Sequence, residues 1–192
     1  MKLVIAITLI FLFPFTKVHG QDVLPNKLLW AQIEASNLIN VKSEAKIALK
    51  KNTAFVFISP ECPLCKNYML VLNDLCKKYP QINIIGVVPG KSYPLLDIKQ
   101  FAENYNARFD IYLDKNKTFT QVLKAKVTPE VVLIDQKGNI RYRGLIDNWQ
   151  AKLGVKRKVV TEHYLDDAMK DINISNYKLI QTIPVGCLIN DL

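Results

Sequence analysis

Residues 53–65 of the 192-residue chain read TAFVFISPECPLC. Ala54 to Ile58 is an unbroken apolar run of β-favouring residues. A run this short without polar alternation predicts a strand buried on both faces. Ser59-Pro60-Glu61 stops it. Leu64, Tyr68, Leu72, Leu75 and Tyr79 then recur at helical spacing, which predicts a helix over 63–79 with one core face. Pro63 suits the first turn, where no backbone N–H is needed, and Pro80 ends the helix.

Cys62 and Cys65 therefore stand where a core strand hands over to a helix. The free N–H groups and positive dipole end of a first helical turn stabilise a thiolate. A thiol acidified in this way is a nucleophile at neutral pH. An offset of three residues puts Cys65 about one turn along, within disulfide reach of Cys62. The pattern assigns attack on a disulfide to Cys62 and resolution of the mixed disulfide to Cys65. The alternatives for such a pair are half a zinc site or an inert structural disulfide. No His follows Cys65, so the c-type haem pattern is absent.

Downstream, the apolar pattern predicts strands over 82–88, 109–113, 130–134 and 140–145. Helices are predicted over 92–105, 117–124 and 161–172. Gln136-Lys137-Gly138-Asn139 reads as a hairpin turn. This order is βαβαβ, a β-hairpin and a closing helix. It implies an α/β fold with right-handed crossovers, a mostly parallel central sheet, an antiparallel edge hairpin and helices on both faces. Upstream the signals are weaker: Leu28 to Ile33 reads as a strand and Ser43 to Lys51 as a short helix. The last twenty residues read as an extended, loosely ordered tail.

Lys2, the apolar run Leu3 to Phe15 and the short residues Val18-His19-Gly20 have the form of a secretory signal peptide. The run is short for a membrane span of about 20 residues; an uncleaved anchor is the alternative. Loss of residues 1–20 removes Lys2 and Lys17 and no acid, so the formal charge of +9 falls by two. The remaining basic residues are scattered, with a denser patch at Lys152, Lys156, Arg157 and Lys158. A nucleic-acid reader needs a basic stripe and a reading motif, and neither is present. The organisation expected is a signal peptide (1–20), an N-terminal extension of the fold (21–52), the main domain (53–172) and a C-terminal tail (173–192). Export places the protein in a periplasmic or extracellular compartment, where disulfides persist.

The segments FVFISPECPLC and VTPEVVLID resemble the thioredoxin-like superfamily. They are nearest to the exported bacterial redoxin type, related to the thiol-specific antioxidant and TlpA-like groups. The resemblance spans about residues 40–172 and implies a thioredoxin fold. It also implies that Pro129, after Thr128, is cis and packs against the dithiol, leaving an exposed backbone edge at Thr128 for a substrate chain. The alternative is an ordinary trans proline opening a strand. Pro63, Leu64, Thr128 and Pro129 are accordingly the expected substrate-binding residues. The implied activity is thiol–disulfide exchange on protein disulfides, with a dithiol protein as electron donor or acceptor and no bound cofactor or metal.

Departures from the family pattern bear on mechanism. Thioredoxin has Trp where Glu61 stands, and a buried Asp where Val56 stands, so Cys65 must lose its proton by another route. Glu61 is a candidate helper, or its charge raises the pKa of Cys62. Ser59-Pro60-Glu61-Cys62 also resembles part of the peroxiredoxin pattern. Phe55 replaces the proline of that pattern, however, and Lys126 is the sole candidate for its arginine. A thiol peroxidase using Cys62 is the second reading. A third is a copper chaperone using His163, although such chaperones carry CxxxC, or a catalytically quiet thioredoxin-like binding module. Cys187, in the tail segment PVGCLI, is expected to be exposed and redox-active as a third redox thiol, or to pair with Cys76; a structural or free role is the alternative. Cys76 is otherwise a buried, inert thiol. Arg143, Asp147, Asn148 and Trp149 (RGLIDNW) form either a substrate groove or a loop with an aromatic anchor.

Overall fold

The computed structural model describes residues 26–43, 52–174 and 179–190. The expected signal peptide lies outside these residues, as does the helix expected over 43–51 beyond Ser43.

The architecture follows from the alternation in its central strand. β2 (Thr53–Phe57) is buried at every position. Ala54, Val56 and Ile58 face one hydrophobic layer, and Phe55 and Phe57 face the other. Its neighbours β3 (Asn83–Pro89) and β6 (Glu130–Ile134) alternate in the same way. β2 pairs parallel to β3 and antiparallel to β6. Outward from β3 lie β4 (Asp110–Asp114), in parallel, and then β1 (Ile39–Asn40), antiparallel. Outward from β6 lie β7 (Ile140–Gly144), antiparallel, and β10 (Ile180–Gln181), parallel to β7. The seven-stranded order is β1-β4-β3-β2-β6-β7-β10.

Two buried faces require helices on both sides. α2 (Pro63–Lys78), α3 (Leu95–Asn104) and α5 (Tyr164–Lys170) cover one face through Leu72, Ile98, Phe101, Leu165 and Met169. α1 (Asn26–Ala35) and α4 (Thr118–Val122) cover the other through Leu29, Ile33 and Phe119. This is the expected thioredoxin-type layering. The hairpin turn is held by Asp135, whose Oδ1 accepts from the N–H groups of Lys137 and Asn139, both at 2.9 Å.

Two expectations need correction. Leu28 to Ile33 lies in helix α1, not a strand. Leu29, Ile33 and Ser36 are buried while Leu28 and Ala31 are exposed, a helical spacing that the cluster Leu28-Leu29-Trp30 disguises. The tail, through residues 179–190, is also not loose. β10 extends the main sheet, Thr182 N–H donates to the Arg143 carbonyl at 3.0 Å, and Thr182 Oγ1 meets the Tyr142 hydroxyl at 2.7 Å. The second tail strand, β11 (Cys187–Leu188), pairs antiparallel with β5 (Val127–Thr128). A further hairpin of β8 (Gln150–Lys152) and β9 (Val155–Lys156) carries part of the basic patch, with Lys156 Nζ 4.6 Å from the centre of the Trp149 ring.

Phe119 is fully buried, and its ring meets Phe55 edge-on at 4.8 Å and Phe57 at 5.8 Å. Phe119→Ala should therefore lower unfolding stability by about 3–5 kcal/mol in urea titrations. A loss under about 1 kcal/mol would mean that α4 does not close this face.

Candidate active site

The site forms where β2 ends. The loop 59–61 leads into Cys62, which is extended (φ −70°, ψ 115°) and caps α2, with Pro63 following at the helix start. The Cys62 N–H donates to the Ser59 carbonyl at 3.1 Å, and the Lys66 N–H donates to the Cys62 carbonyl at 3.2 Å. This geometry places Cys62 beside the unpaired N–H groups of the first turn, although no side-chain hydrogen bond caps them.

The pKa of Cys62 is lowered from the ordinary 9.0 to about 4. The largest cause is the Cys65 thiol, which donates to its sulfur; burial opposes this. The Cys187 thiol and the backbone N–H groups of Cys65 and Leu64 lower it further. The Thr128 carbonyl oxygen, 3.2 Å away, can only accept and so favours the protonated thiol. Four donors outweigh that one acceptor, and the anion is favoured.

Cys65 behaves in the opposite sense. It is fully buried, and burial pushes its pKa well above 9.0, reinforced by the neighbouring Cys62 sulfur. The Ser59 N–H donates to its sulfur at 3.4 Å. Val56 is buried in the same apolar cluster, so no carboxylate stands at that position to receive the Cys65 proton. Glu61 does not fill the gap. It is exposed and accepts from the Tyr93 hydroxyl at 3.3 Å, and it is not among the groups that shift either thiol.

The Thr128–Pro129 peptide is cis, as the family resemblance implies. Thr128 and Pro129 are brought to the dithiol, together with Pro63 and the buried Leu64. The edge at Thr128 is not exposed, however. The chain's own Cys187 and Leu188 pair with Thr128 and Val127. Cys187 Sγ lies 2.7 Å from Cys62 Sγ, so Cys187 faces Cys62 and not Cys76. It is half-buried instead of exposed, and burial followed by the Cys62 sulfur raises its pKa to about 11. Cys76 is half-buried and also raised to about 11 by burial, in keeping with an inert thiol.

Glu130, immediately after Pro129, carries a supporting role that the sequence did not disclose. Its buried carboxylate accepts from the N–H groups of Lys126 at 2.8 Å and Val127 at 3.3 Å, and pairs with Arg143 at 3.3 Å. These bonds fix the short strand that presents Thr128. The RGLIDNW stretch is an aromatic anchor. Asp147 accepts from the Tyr68 hydroxyl at 2.6 Å and the Trp149 N–H at 2.8 Å, tying the loop to α2. An open cleft of about 850 Å³ adjoins Cys62, lined among others by Glu61, Lys91, Tyr93, Lys115 and Leu188. His163 is exposed at the start of α5 and does not line it. Among the described residues no group of three or more His, Cys, Asp or Glu side chains is placed to hold a metal ion.

The AhpC/TSA family model matches residues 32–143, a span from α1 to β7 that includes the whole dithiol site except the tail. The chain belongs to the AhpC/TSA family. Among curated proteins, none matches it. Solved structures similar to it include an uncharacterized conserved protein from Geobacillus kaustophilus, with a TM-score of 0.66 and 21% identity over 79% of this chain and 86% of that one. A hypothetical protein from Sinorhizobium meliloti 1021 matches with a TM-score of 0.60 and 19% identity, covering 73% of this chain and 79% of that one. The MTB DsbF protein, in mixed oxidized and reduced forms, matches with a TM-score of 0.57 and 15% identity, covering 74% and 98%. At such identities the likeness speaks for the fold, which is that of the thioredoxin-like superfamily.

The acidity of Cys62 is directly measurable. The ultraviolet thiolate absorbance of the reduced chain should rise through a midpoint near pH 4, with the anion fully formed above it. That step should vanish in Cys62→Ser. A midpoint near the ordinary 9.0 would refute the arrangement of donors described above.

Proposed function

We propose that the protein is a thiol–disulfide oxidoreductase acting on protein disulfides, with Cys62 as the exchanging nucleophile and Cys65 as the resolving thiol. The observation that carries this reading is the contrast between the two sulfurs: one held as an anion by a helix start and neighbouring donors, the other buried and protonated. In the reducing direction the Cys62 thiolate attacks one sulfur of a substrate disulfide, and the other leaves as a thiolate. Cys65 then attacks Cys62 Sγ, the second substrate thiol departs, and a Cys62–Cys65 disulfide remains. With Val56 in place of an acid, the departing substrate thiolate is the acceptor for the Cys65 proton. Two electrons pass to the substrate, and a partner dithiol protein restores them.

The same steps run backwards, and the acidity of Cys62 favours that direction. A strongly stabilised thiolate stabilises the reduced protein and makes its disulfide the more oxidising. A weakly basic sulfur is also the better leaving group when a substrate thiolate attacks. The protein is thus better suited to accept electrons from substrate thiols than to supply them. Lys91 and Lys115 beside the cleft favour substrate segments with acidic side chains. Among the described residues no helix is long and apolar enough to cross a membrane. The signal-like residues 1–20 support an exported protein acting where disulfides persist.

Family membership and Ser59, three residues before Cys62, keep thiol peroxidase as the second reading. Against it, no basic side chain is among the causes of the Cys62 shift, and Arg143 is paired with Glu130. Lys126, offered for the missing arginine, is exposed. The copper reading has no support in the position of His163.

Insulin reduction driven by dithiothreitol should be accelerated by the native chain and not by Cys62→Ser. A chain with both Cys65→Ser and Cys187→Ser, in which no neighbouring thiol is left to attack Cys62, should accumulate disulfide-linked adducts with thiol proteins, visible on non-reducing gels. Rapid peroxide turnover with a sulfenic acid trapped at Cys62, and no insulin reduction, would favour the peroxidase instead.

A further inference from the structure

The tail occupies the place that the family resemblance reserves for a foreign chain. It is anchored upstream, where β10 joins the main sheet and Thr182 Oγ1 accepts from the Leu145 N–H at 2.8 Å. It then crosses to the site and pairs in defined register, Cys187 opposite Thr128 and Leu188 opposite Val127. Beyond the pairing, the Ile189 N–H donates to the Lys126 carbonyl at 3.0 Å and Lys117 Nζ donates to the Asn190 carbonyl at 2.5 Å. Gly186 permits the approach. A Cβ there would overlap the Thr128 carbonyl oxygen and come to 2.7 Å from its carbon and 3.1 Å from Pro129 N, all backbone atoms that cannot swing aside. The two sulfurs are left 2.7 Å apart, although 125 residues separate them in sequence.

We propose that residues 186–189 are a tethered substrate strand, and that Cys187 is a third redox thiol exchanging with Cys65 for the Cys62 sulfur. The proposal rests on the thiol-exchange reading above and names the first chain that the site acts on: its own. In the oxidised protein, the Cys187 thiolate attacks Cys62 Sγ. The Cys62–Cys187 bond forms as the Cys62–Cys65 bond breaks. Cys65 leaves as a thiolate and takes up the proton that Cys187 gave up. One disulfide is present before and one after, so no outside oxidant or reductant enters the step.

Two consequences follow for foreign substrates. Cys62 is 3% exposed with the tail in place, so an incoming protein must displace β11 before it reaches the sulfur. A strand that docks in the register of the tail meets the same close approach at Thr128, so a small residue before its cysteine fits best and a larger one must pair in another register. The tail thereby acts as a gate that discriminates by both strand pairing and side-chain size.

The test uses the full-length Cys65→Ser chain, which cannot form the Cys62–Cys65 bond. It is treated with oxidised glutathione, alkylated and mapped by mass spectrometry without reduction. The expected product is a Cys62–Cys187 disulfide within one chain, formed at a rate independent of protein concentration, with loss of the Cys62–glutathione adduct. Adding Gly186→Val should reverse this: the adduct persists and Cys187 is alkylated. A Cys65→Ser chain that holds glutathione on Cys62 while Cys187 stays free would overturn the proposal. So would unchanged cross-linking in the Gly186→Val chain; if that variant does not fold, the Cys65→Ser map decides alone. Cross-linking without insulin reduction would overturn the function proposed above and leave this exchange standing. Insulin reduction without cross-linking would do the reverse.

Discussion

The structure depends on one anion, the Cys62 sulfur, held at the start of α2. Its neighbours are arranged by backbone geometry more than by charged side chains. Pro63 sets the first turn, the nearby Cys65 thiol does most to lower the pKa of the sulfur, and the N–H groups of Cys65 and Leu64 add to it. A buried anion without a cationic partner is costly, and hydrogen bonds from fixed donors are the means of offsetting that cost. The central position of β2 matters for this reason. A strand paired on both sides leaves the loop 59–61 little freedom, so the sulfur and its donors meet without reorganisation.

The second constraint is an open edge. A short strand that presents Thr128 beside a reactive sulfur is a ready template for any extended chain. Glu130 makes that edge rigid, binding the N–H groups of Lys126 and Val127 from inside while Arg143 balances its charge. The tail then covers the edge from outside. Its upstream anchor on β7 keeps Cys187 near the site even when β11 lifts, which gives a tethered thiol an effective concentration in about the mM range.

The central part of this arrangement was legible in the sequence. The run from Ala54 to Ile58, the helical spacing from Leu64 to Tyr79 and the cysteines at their junction specify a strand, a helix and a thiol at its start, each from local pattern. The cis conformation at Pro129 came from family resemblance, since no local pattern around Thr128 distinguishes it. What escaped was long-range. β5, β10 and β11 span two residues each, too short to show any alternation, and the Cys62–Cys187 contact joins distant parts of the chain. Gly186 beside Cys187 was the one available sign that this cysteine approaches another backbone closely. Helix α1 was misread because three adjacent apolar residues mimic a strand; the role of Glu130 stayed hidden because an acid inside an apolar strand declares its partners only once the fold brings them together.

A stabilised Cys62 anion should favour the reduced form of the proposed Cys62–Cys65 couple, and the equilibrium of that pair with glutathione reads this out. The potential should lie towards about −120 mV, the oxidising end for dithiols on this fold. A value near about −270 mV would contradict it, because a pair that holds its disulfide so tightly gains little from the anion.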